Sequence, residues 1–550
     1  MQDLYKRCNM VLLVLLCSAS LQAQPVEHLF ANNVDAVIGI GGNLFSSIVD
    51  TNAYLSAQNT YALFEAPKGL GPAPIFTSTL WLSGADGNSL RHCAAQRYKS
   101  GGGDYSDGPI ALHYDSAYDN YYQRVFKVTR TQINQHVANN FPVLMQTVDS
   151  SLLKWPGKGN AYVMSEYGVD ITDDLAHFID ANGNGIYDPW NGDYPALCGD
   201  EGIFFVFNDI RQTHNESGST ALGVEVRGMA EVYYRTTGNL LKEPVNNSVF
   251  VSYEIENKSS YDYHDFYIGC FEDPDLGCFT NDRVGCDTLR NMMFVYNGTN
   301  SDNDCNGVKG YAPYQAAFGT VLLNRPMAAF GYFVNGAIET PDYFSCPDVT
   351  NYLHGKWHDG SPFTIGGTGF NGAIPTNFLF PGNPNDSSSW SEVGPGVVLT
   401  SGDRRMFSSI GAMNFAPGET KALSVAYLLS FDSSATKFSI VDTLKRDADS
   451  IQEFYNSVFK PCHTANTILS NSAPELRTQL FPNPSDGYFT IKGEGIITDL
   501  QLYDLSGHVV LEWEPKTSIT TINLRGLAKG IYMLKVSTAA GSTCKKLVFH

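Results

Sequence analysis

An oxygen-rich loop at residues 180–191 has the residue types and spacing of a metal site. Its sequence is Asp-Ala-Asn-Gly-Asn-Gly-Ile-Tyr-Asp-Pro-Trp-Asn. Calcium loops carry side-chain oxygens at positions 1, 3, 5 and 9, a glycine at position 6 and a backbone carbonyl ligand at position 7, because Ca²⁺ takes hard oxygen ligands. We therefore predict one Ca²⁺ ion bound by Asp180, Asn182, Asn184, the Ile186 carbonyl and Asp188.

The same loop has a second interpretation as a simple turn. Asn-Gly pairs form turns in which the side chain caps its own backbone. Position 12, where calcium loops carry a carboxylate, is Asn191, and Asp193, Asp200 or Glu201 could supply the missing charge. The stretch resembles the calcium loops of thrombospondin type 3 repeats and dockerins. If calcium binds, we expect Asp180→Ala to abolish the calcium response and to leave the metal-free protein almost unchanged.

More acidic residues are crowded between positions 272 and 287. Carboxylates this dense repel one another unless water or a cation separates them, so a second cation is an open alternative here. A later segment, 302–307, repeats the first six positions of the calcium pattern but has Gly310 at position 9, which favours a turn. The crowded acids are Glu272, Asp273, Asp275, Asp282 and Asp287.

Cysteine usage points to an oxidising compartment. Four cysteines, Cys270, Cys278, Cys286 and Cys305, lie close together without the Cys-x-x-Cys or histidine spacing of a metal site. We predict that all four form disulfides that tie the acidic loops together. The sequence does not determine which cysteine pairs with which.

Composition and motifs disfavour some classes of function for this protein. The chain has 36 basic and 56 acidic residues, a net charge of -20, which disfavours nucleic acid as a partner. It contains neither Gly-x-Ser-x-Gly nor His-Glu-x-x-His, two common hydrolase motifs. We predict a non-enzymatic structural, adhesive or ligand-binding protein with a glycan or protein ligand. The alternative is a secreted hydrolase that acts on polysaccharide or protein.

The elements that must position these residues are mostly strands. Aromatic and β-branched runs bounded by glycine, proline or asparagine recur along the chain, for example at 75–82, 121–128, 203–207, 249–256 and 422–429. We predict a mainly β protein with few helices. Residues 24–460, which we call the cargo, should form one or two β-sandwich-like subdomains, at 24–150 and 151–460. Two helices are expected, over 129–137 and 441–459, because apolar residues there recur four apart.

The N-terminal segment has the pattern of a secretory signal peptide at residues 1–23. Lys6 and Arg7 precede a short apolar run, and small residues lead to a cleavage position after Ala23. The run is too short to span a bilayer, and no other apolar stretch in the sequence reaches membrane-spanning length. We therefore expect export through the periplasm and no transmembrane segment.

The segment from 480 to 550 reads as a small Ig-like β-sandwich after a polar linker at 461–479. A Pro-Asn-Pro turn at 482–484 is followed by alternating strands at 500–504 and 530–536 and by a terminal strand, Lys545 to Phe549. These antiparallel segments share apolar faces, which is typical of a sandwich. The terminal strand should complete it.

This C-terminal segment resembles the sorting domain of the type IX (Por) secretion system of Bacteroidota. The elements that carry the resemblance are Phe-Pro-Asn-Pro at 481–484, Tyr-Asp-Leu at 503–505, Gly-Ile-Tyr at 530–532 and Lys-Lys-Leu-Val at 545–548. The resemblance implies passage through the type IX translocon and removal of the domain by a surface sorting protease. It also implies a secreted or cell-surface location, with attachment to surface lipopolysaccharide in many members.

The remainder, or cargo, resembles an uncharacterised group of secreted Bacteroidota proteins that carry the same sorting domain. The likeness lies in Thr-Ser-Thr-Leu-Trp-Leu-Ser-Gly at 77–84, Asn-Gly-Ile-Tyr-Asp-Pro at 184–189 and Phe-Asn-Asp at 207–209. It implies no catalytic residues.

Overall fold

The computed structural model describes residues 26–463 except 47–62, 99–102, 237, 335–336, 338–339 and 344, and residues 479–550 except 505–508 and 539–540. The predicted signal peptide and most of the predicted linker lie outside these residues. The fold is mainly β, as predicted, with sheets in both of its compact units. One unit comprises residues 1–464 and the other residues 465–550.

The first unit contains nineteen named strands among its described residues. In chain order they are β1 (Glu27–Leu29), β2 (Asp35–Ile38), β3 (Phe64–Glu65), β4 (Thr77–Ala85), β5 (Arg91–Ala95), β6 (Ser106–Asp107), β7 (Phe126–Thr129), β8 (Phe178–Ile179), β9 (Tyr194–Pro195), β10 (Glu201–Asn208), β11 (Val224–Val232), β12 (Ser248–Asn257), β13 (Tyr263–Asp273), β14 (Asp282–Asp287), β15 (Met292–Asn297), β16 (Gln315–Leu322), β17 (Ala329–Phe333), β18 (Arg405–Phe415) and β19 (Thr420–Asp432).

Six α-helices accompany these strands within the described residues. They are α1 (Ser116–Tyr122), α2 (Arg130–Val137), α3 (Ser150–Leu153), α4 (Ala161–Tyr167), α5 (Cys346–Leu353) and α6 (Ser439–Phe454), the last continuing into a π-helical turn, Tyr455–Phe459. The predicted helices over 129–137 and 441–459 are thus confirmed. Thr129 caps α2 in a reciprocal pair of hydrogen bonds with Gln132, which explains why the helix begins there.

Two antiparallel sheets pack face to face. A nine-stranded sheet has the order β14-β15-β16-β19-β12-β11-β10-β6, with β7 also pairing with β10, and a five-stranded sheet has the order β17-β18-β13-β4-β5. Alternation along β12 sends Val249, Val251 and Tyr253 into the core between the sheets. Phe250 faces the opposite side, where it packs against α6. The period-two pattern therefore builds a sandwich with a helix on its outer face.

Strands from both predicted cargo segments belong to the same sheets. Strand β4 pairs with β13 and carries β5 on its other side, and β6 and β7 both pair with β10. The segments 24–150 and 151–460 are therefore interleaved within one sandwich.

Two local predictions differ from the structure. Residues 121–122, predicted as part of a strand, end helix α1, because Asp115 caps that helix through the Tyr118 N–H and the tyrosine rings face a second apolar cluster. The strand patterns at 222–227 and 231–235 predict two strands, whereas the structure has the single strand β11, which runs through Gly228. That glycine belongs in the strand because the Phe205 ring covers it, leaving no room for a side chain.

The second unit is an antiparallel domain with six strands among its described residues. They are β20 (Gln479–Phe481), β21 (Tyr488–Tyr503), β22 (Val509–Trp513), β23 (Thr517–Asn523), β24 (Gly530–Thr538) and β25 (Gly541–Phe549). The first half of β21 pairs with β20 and β23, and its second half pairs with β22 and β24. The last strand pairs with β24 along its whole length and buries Leu547, as the terminal-strand prediction requires.

Candidate functional site

The predicted calcium loop connects the two strands of a short hairpin. Strands β8 and β9 pair antiparallel, with Ile179 opposite Tyr194, so residues 180–193 form the connection. Tyr187 anchors the loop: its side chain is fully buried, and its hydroxyl donates a hydrogen bond to the Leu152 carbonyl at 2.8 Å. Gly183 and Gly185 adopt positive φ, which glycine tolerates without strain. The sequence thus folds this segment into a fixed, compact loop.

Asp180 organises the first half of the loop through backbone hydrogen bonds. Its Oδ1 accepts the N–H groups of Gly183 and Asn184 at 2.7 and 3.2 Å, and its Oδ2 accepts that of Gly185 at 2.8 Å. These hydrogen bonds argue against the expectation that Asp180→Ala leaves the metal-free protein almost unchanged. The carboxylate satisfies three backbone donors whether or not a cation is bound.

Asp188 is the point on which the loop side chains converge. Asn182 Nδ2 donates to Asp188 Oδ1 at 2.7 Å, and Asn184 Nδ2 donates to Asp188 Oδ2 at 2.9 Å. Asn191 Nδ2 also donates to Oδ2, at 2.8 Å. The structure therefore brings together Asp180, Asn182, Asn184 and Asp188. Ile186 lies on the same loop, and its N–H donates to Asn184 Oδ1.

A carboxylate that the pattern did not assign as a ligand completes the loop. Asp193 is fully buried, and its oxygens accept the N–H groups of Ala181 and Asp188 at 2.9 and 2.8 Å. Burial, with the charges of Asp188 and Asp180 nearby, raises the pKa of Asp193 to about 7. Asp193 is thus the one of the three candidate acids that folds into the loop. The other two, Asp200 and Glu201, accept N–H groups elsewhere.

The loop has acidic charge without a basic counterpart. Within the residues that the structure describes, Asp180, Asp188 and Asp193 form no ion pair with lysine or arginine. Their oxygens, together with those of two asparagines, make a donor set that suits Ca²⁺. Rotating the amide groups of Asn182 and Asn184 by half a turn would present oxygen in place of nitrogen towards Asp188. By residue type this set suits a hard cation, but in the structure the side-chain oxygens of Asn182 and Asn184 accept the Asn184 and Ile186 N–H groups at 3.0 and 2.9 Å.

The second calcium-like segment, 302–307, forms a turn in the structure. Asp302 is buried and accepts the N–H of Tyr311 at 2.7 Å, whereas Asp304 is exposed and pairs with Lys309 at 2.8 Å. Its carboxylates therefore stabilise the local backbone and a surface ion pair.

The disulfides differ in part from the prediction. Cys278 and Cys305 are bonded, but Cys270 and Cys286 are free, buried thiols. These two lie in strands of different sheets, β13 and β14, a separation that sequence spacing does not reveal. Burial raises the pKa of Cys286 well above its usual range, so it stays an unreactive thiol. The other bonds, Cys93–Cys346 and Cys198–Cys462, close loops of more than 250 residues, and the latter fastens the segment after α6 to the sandwich.

The C-terminal unit can be compared with known families. Residues 479–550 match a family described as "Secretion system C-terminal sorting domain". They form a type IX secretion sorting domain. The protein is therefore exported to the cell surface or the extracellular space, and the sorting domain interacts with the type IX machinery. In the part of the chain that the structure describes, no helix is both long and apolar enough to cross a membrane.

Comparisons of the whole chain add little. No curated protein matches the sequence. One similar solved structure is a polysaccharide lyase, with 7% sequence identity and a TM-score of 0.18. The match covers 70% of this chain but only 41% of that protein, and so low a TM-score carries no argument about fold or activity.

Proposed function

We propose that the cargo is a calcium-stabilised binding protein that the sorting domain delivers to the cell surface, where it acts in adhesion or ligand capture. The observation that carries the proposal is the convergence of Asn182 and Asn184 on Asp188 in an acidic loop that has no lysine or arginine partner among the described residues. Extracellular calcium sites bind at 10⁻⁴ to 10⁻³ M, which a loop with neutral amide ligands can reach.

Calcium at this loop would act on stability. The loop fixes a hairpin against α3 through Tyr187, so a cation that holds the loop also holds the cluster of helices beside β10. A ligand that binds only the native state at tenfold excess over Kd stabilises it by about 1.4 kcal/mol. In this proposal the ion therefore stabilises the folded protein and has no catalytic role.

A cleft beside α1 and α3 supports a binding role. It has a volume of about 690 Å³ and is lined by amide, hydroxyl and charged groups, including Asn120, Gln123, Arg124, Ser151 and Lys154. Such groups can donate and accept hydrogen bonds, which suits a polar ligand such as a glycan or the surface of a protein. We take this cleft as the candidate ligand site.

The binding proposal is tested with the exported full-length protein on arrays of glycans and host-matrix proteins, beside a broad panel of hydrolase substrates. We expect specific binding that Lys154→Ala weakens. The control Lys309→Ala, which changes a surface turn far from the cleft residues in sequence, should leave binding unchanged. Turnover of a polysaccharide or protein substrate would contradict the proposal and favour the hydrolase alternative.

The delivery proposal includes removal of the sorting domain by a surface protease and attachment of the cargo to surface lipopolysaccharide. The edge strand β25 supports a structural requirement, because Ser485 N–H donates to the Val548 carbonyl and Leu547 is buried. We expect Leu547→Asp to leave the protein in the periplasm and the exposed Lys546→Ala to be delivered normally. Cell fractionation checks this, and surface delivery of the Leu547 variant would contradict it.

A further inference from the structure

Three carboxylates from two distant parts of the chain meet at one end of the five-stranded sheet. Strands β13 and β18 are antiparallel with Glu272 opposite Met406, so the residues that follow β13 lie beside those that precede β18. One carboxylate oxygen from each of Asp273, Asp275 and Asp403 lies within 4.8 Å of the other two. Sheet register therefore creates a cluster that no local motif encodes.

The positive charge beside the cluster is smaller than its negative charge. Arg405 Nε lies 3.3 Å from Asp273 Oδ1, and Arg405 Nη1 lies 2.5 Å from Asp403 Oδ2. The adjacent Arg404 points elsewhere and pairs with Glu392 at 2.6 Å. One guanidinium thus faces three carboxylates. Like charges this close in a partly buried site are unfavourable without a further cation.

Two buried oxygens at this place accept no hydrogen bond from the described residues. Asp273 is 3% exposed, and Tyr98 and Arg405 satisfy its Oδ2, whereas its Oδ1 accepts no hydrogen bond and has an ion-pair contact with Arg405 Nε at 3.3 Å. Asp282 is fully buried, and its Oδ2 accepts the Leu276 N–H at 3.0 Å while its Oδ1 has no donor. Unsatisfied buried carboxylate oxygens are costly, and they are the atoms that a metal ion would use.

Asp282 lies between the two segments that form the cluster. Its carboxylate binds the turn after β13 through Leu276, and its backbone carbonyl accepts the Gly402 N–H at 3.0 Å, one residue before Asp403. Burial raises the pKa of Asp282 well above its usual range, and the charges of Asp275 and Asp403 contribute. Asp282 thus ties the turn after β13 to the segment just before Asp403.

We propose that Asp273, Asp275 and Asp403 bind one Ca²⁺ ion. All three carboxylates offer hard oxygens, which suit Ca²⁺ better than softer metals. Asp275 and Asp403 are half-buried, so the ion can enter from solvent while the deeper oxygens of Asp273 hold it. The site would join the ends of β13 and β18, and it is independent of the loop at 180–193.

The test uses full-length protein and calcium alone, with Asp188→Asn to remove the loop site. In that background, we expect calorimetry to show one remaining Ca²⁺ site. Adding Asp275→Asn should abolish it, whereas Asp304→Asn, which removes an equal charge from a surface turn, should leave it unchanged. Retention of the site in the Asp275 variant, or absence of any calcium binding in the Asp188→Asn background, would overturn the proposal.

A second measurement separates lost binding from lost folding. In chelator, Asp275→Asn should melt above its parent, because it removes repulsion among the carboxylates. In excess calcium the order should reverse, because only the parent gains the bound ion. If the variant melts below the parent by the same amount in both conditions, Asp275 has a structural role only and the proposal is wrong.

Discussion

Two acidic regions of the cargo satisfy their carboxylates in opposite ways. In the loop at 180–193, Asp180 and Asp193 accept five N–H groups from the loop backbone. At the end of β13, Asp273 and Asp282 each keep a buried oxygen that accepts no hydrogen bond from the described residues. The first region is complete as a folded loop before any cation binds. In the described part of the chain, the second region has one arginine as its basic partner, so its stability should depend more strongly on a cation.

The largest expected effect comes from removing that arginine. Arg405→Met should lower the free energy of unfolding by about 3–5 kcal/mol in chelator, because breaking a buried ion pair leaves uncompensated charge. Calcium should restore part of the loss, since an ion in the cluster replaces positive charge. Denaturant unfolding with and without calcium measures both values. An equal loss in the two conditions would show that no cation compensates the cluster.

A smaller effect is expected in the loop. Asp180→Ala should lower the free energy of unfolding by about 1 kcal/mol even in chelator, because three backbone N–H groups lose their acceptor. The variant should also lose the loop's share of calcium stabilisation. Thermal melts in chelator and in calcium check this, with Asp304→Ala as the control. An unchanged melting temperature in chelator would contradict the hydrogen-bonding argument.

The sequence predicts one of the two acidic regions better than the other, because the contacts of the first are local in the chain and those of the second are not. The loop depends on neighbours within fourteen residues, so its spacing alone predicts that Asp180, Asn182, Asn184 and Asp188 meet. Asp403 reaches Asp273 only through the pairing of β13 with β18, which no local pattern encodes. The sequence likewise could not show that Cys270 and Cys286 remain free thiols, because their positions in the folded protein decide which cysteines can pair.

Strong local sequence signals were sufficient to predict several of the helices and strands. The helix α6 follows from apolar residues four apart, and β12 and β19 follow from alternating β-branched and aromatic residues. Tyr121 and Tyr122 have strand propensity, yet the Asp115 cap and packing around their rings place them on a helix. Local propensity therefore predicted the sandwich better than its helical side cluster.

A pH dependence of stability is also expected, from Asp193. In chelator, Asp193 has a folded-state pKa of about 7, above the ordinary value of 3.8, so the folded state holds this proton more tightly. The resulting stability is fully present below about pH 4 and is lost as pH rises towards 7. Asp193→Asn should flatten this part of the profile, and saturating calcium should oppose it. Melting temperatures from pH 4 to 8 check the sign, and a rise attributable to Asp193 in chelator would contradict it.

The most direct test of the calcium account is elemental analysis of the exported protein combined with melting in calcium and in chelator. We predict bound calcium in the untreated protein and a lower melting temperature after chelation. Asp188→Asn should remove one bound ion, and Asp304→Asn should remove none. If the wild-type protein contains no metal and melts identically in calcium and in chelator, the loop at 180–193 is an asparagine-glycine turn and calcium has no part in the structure.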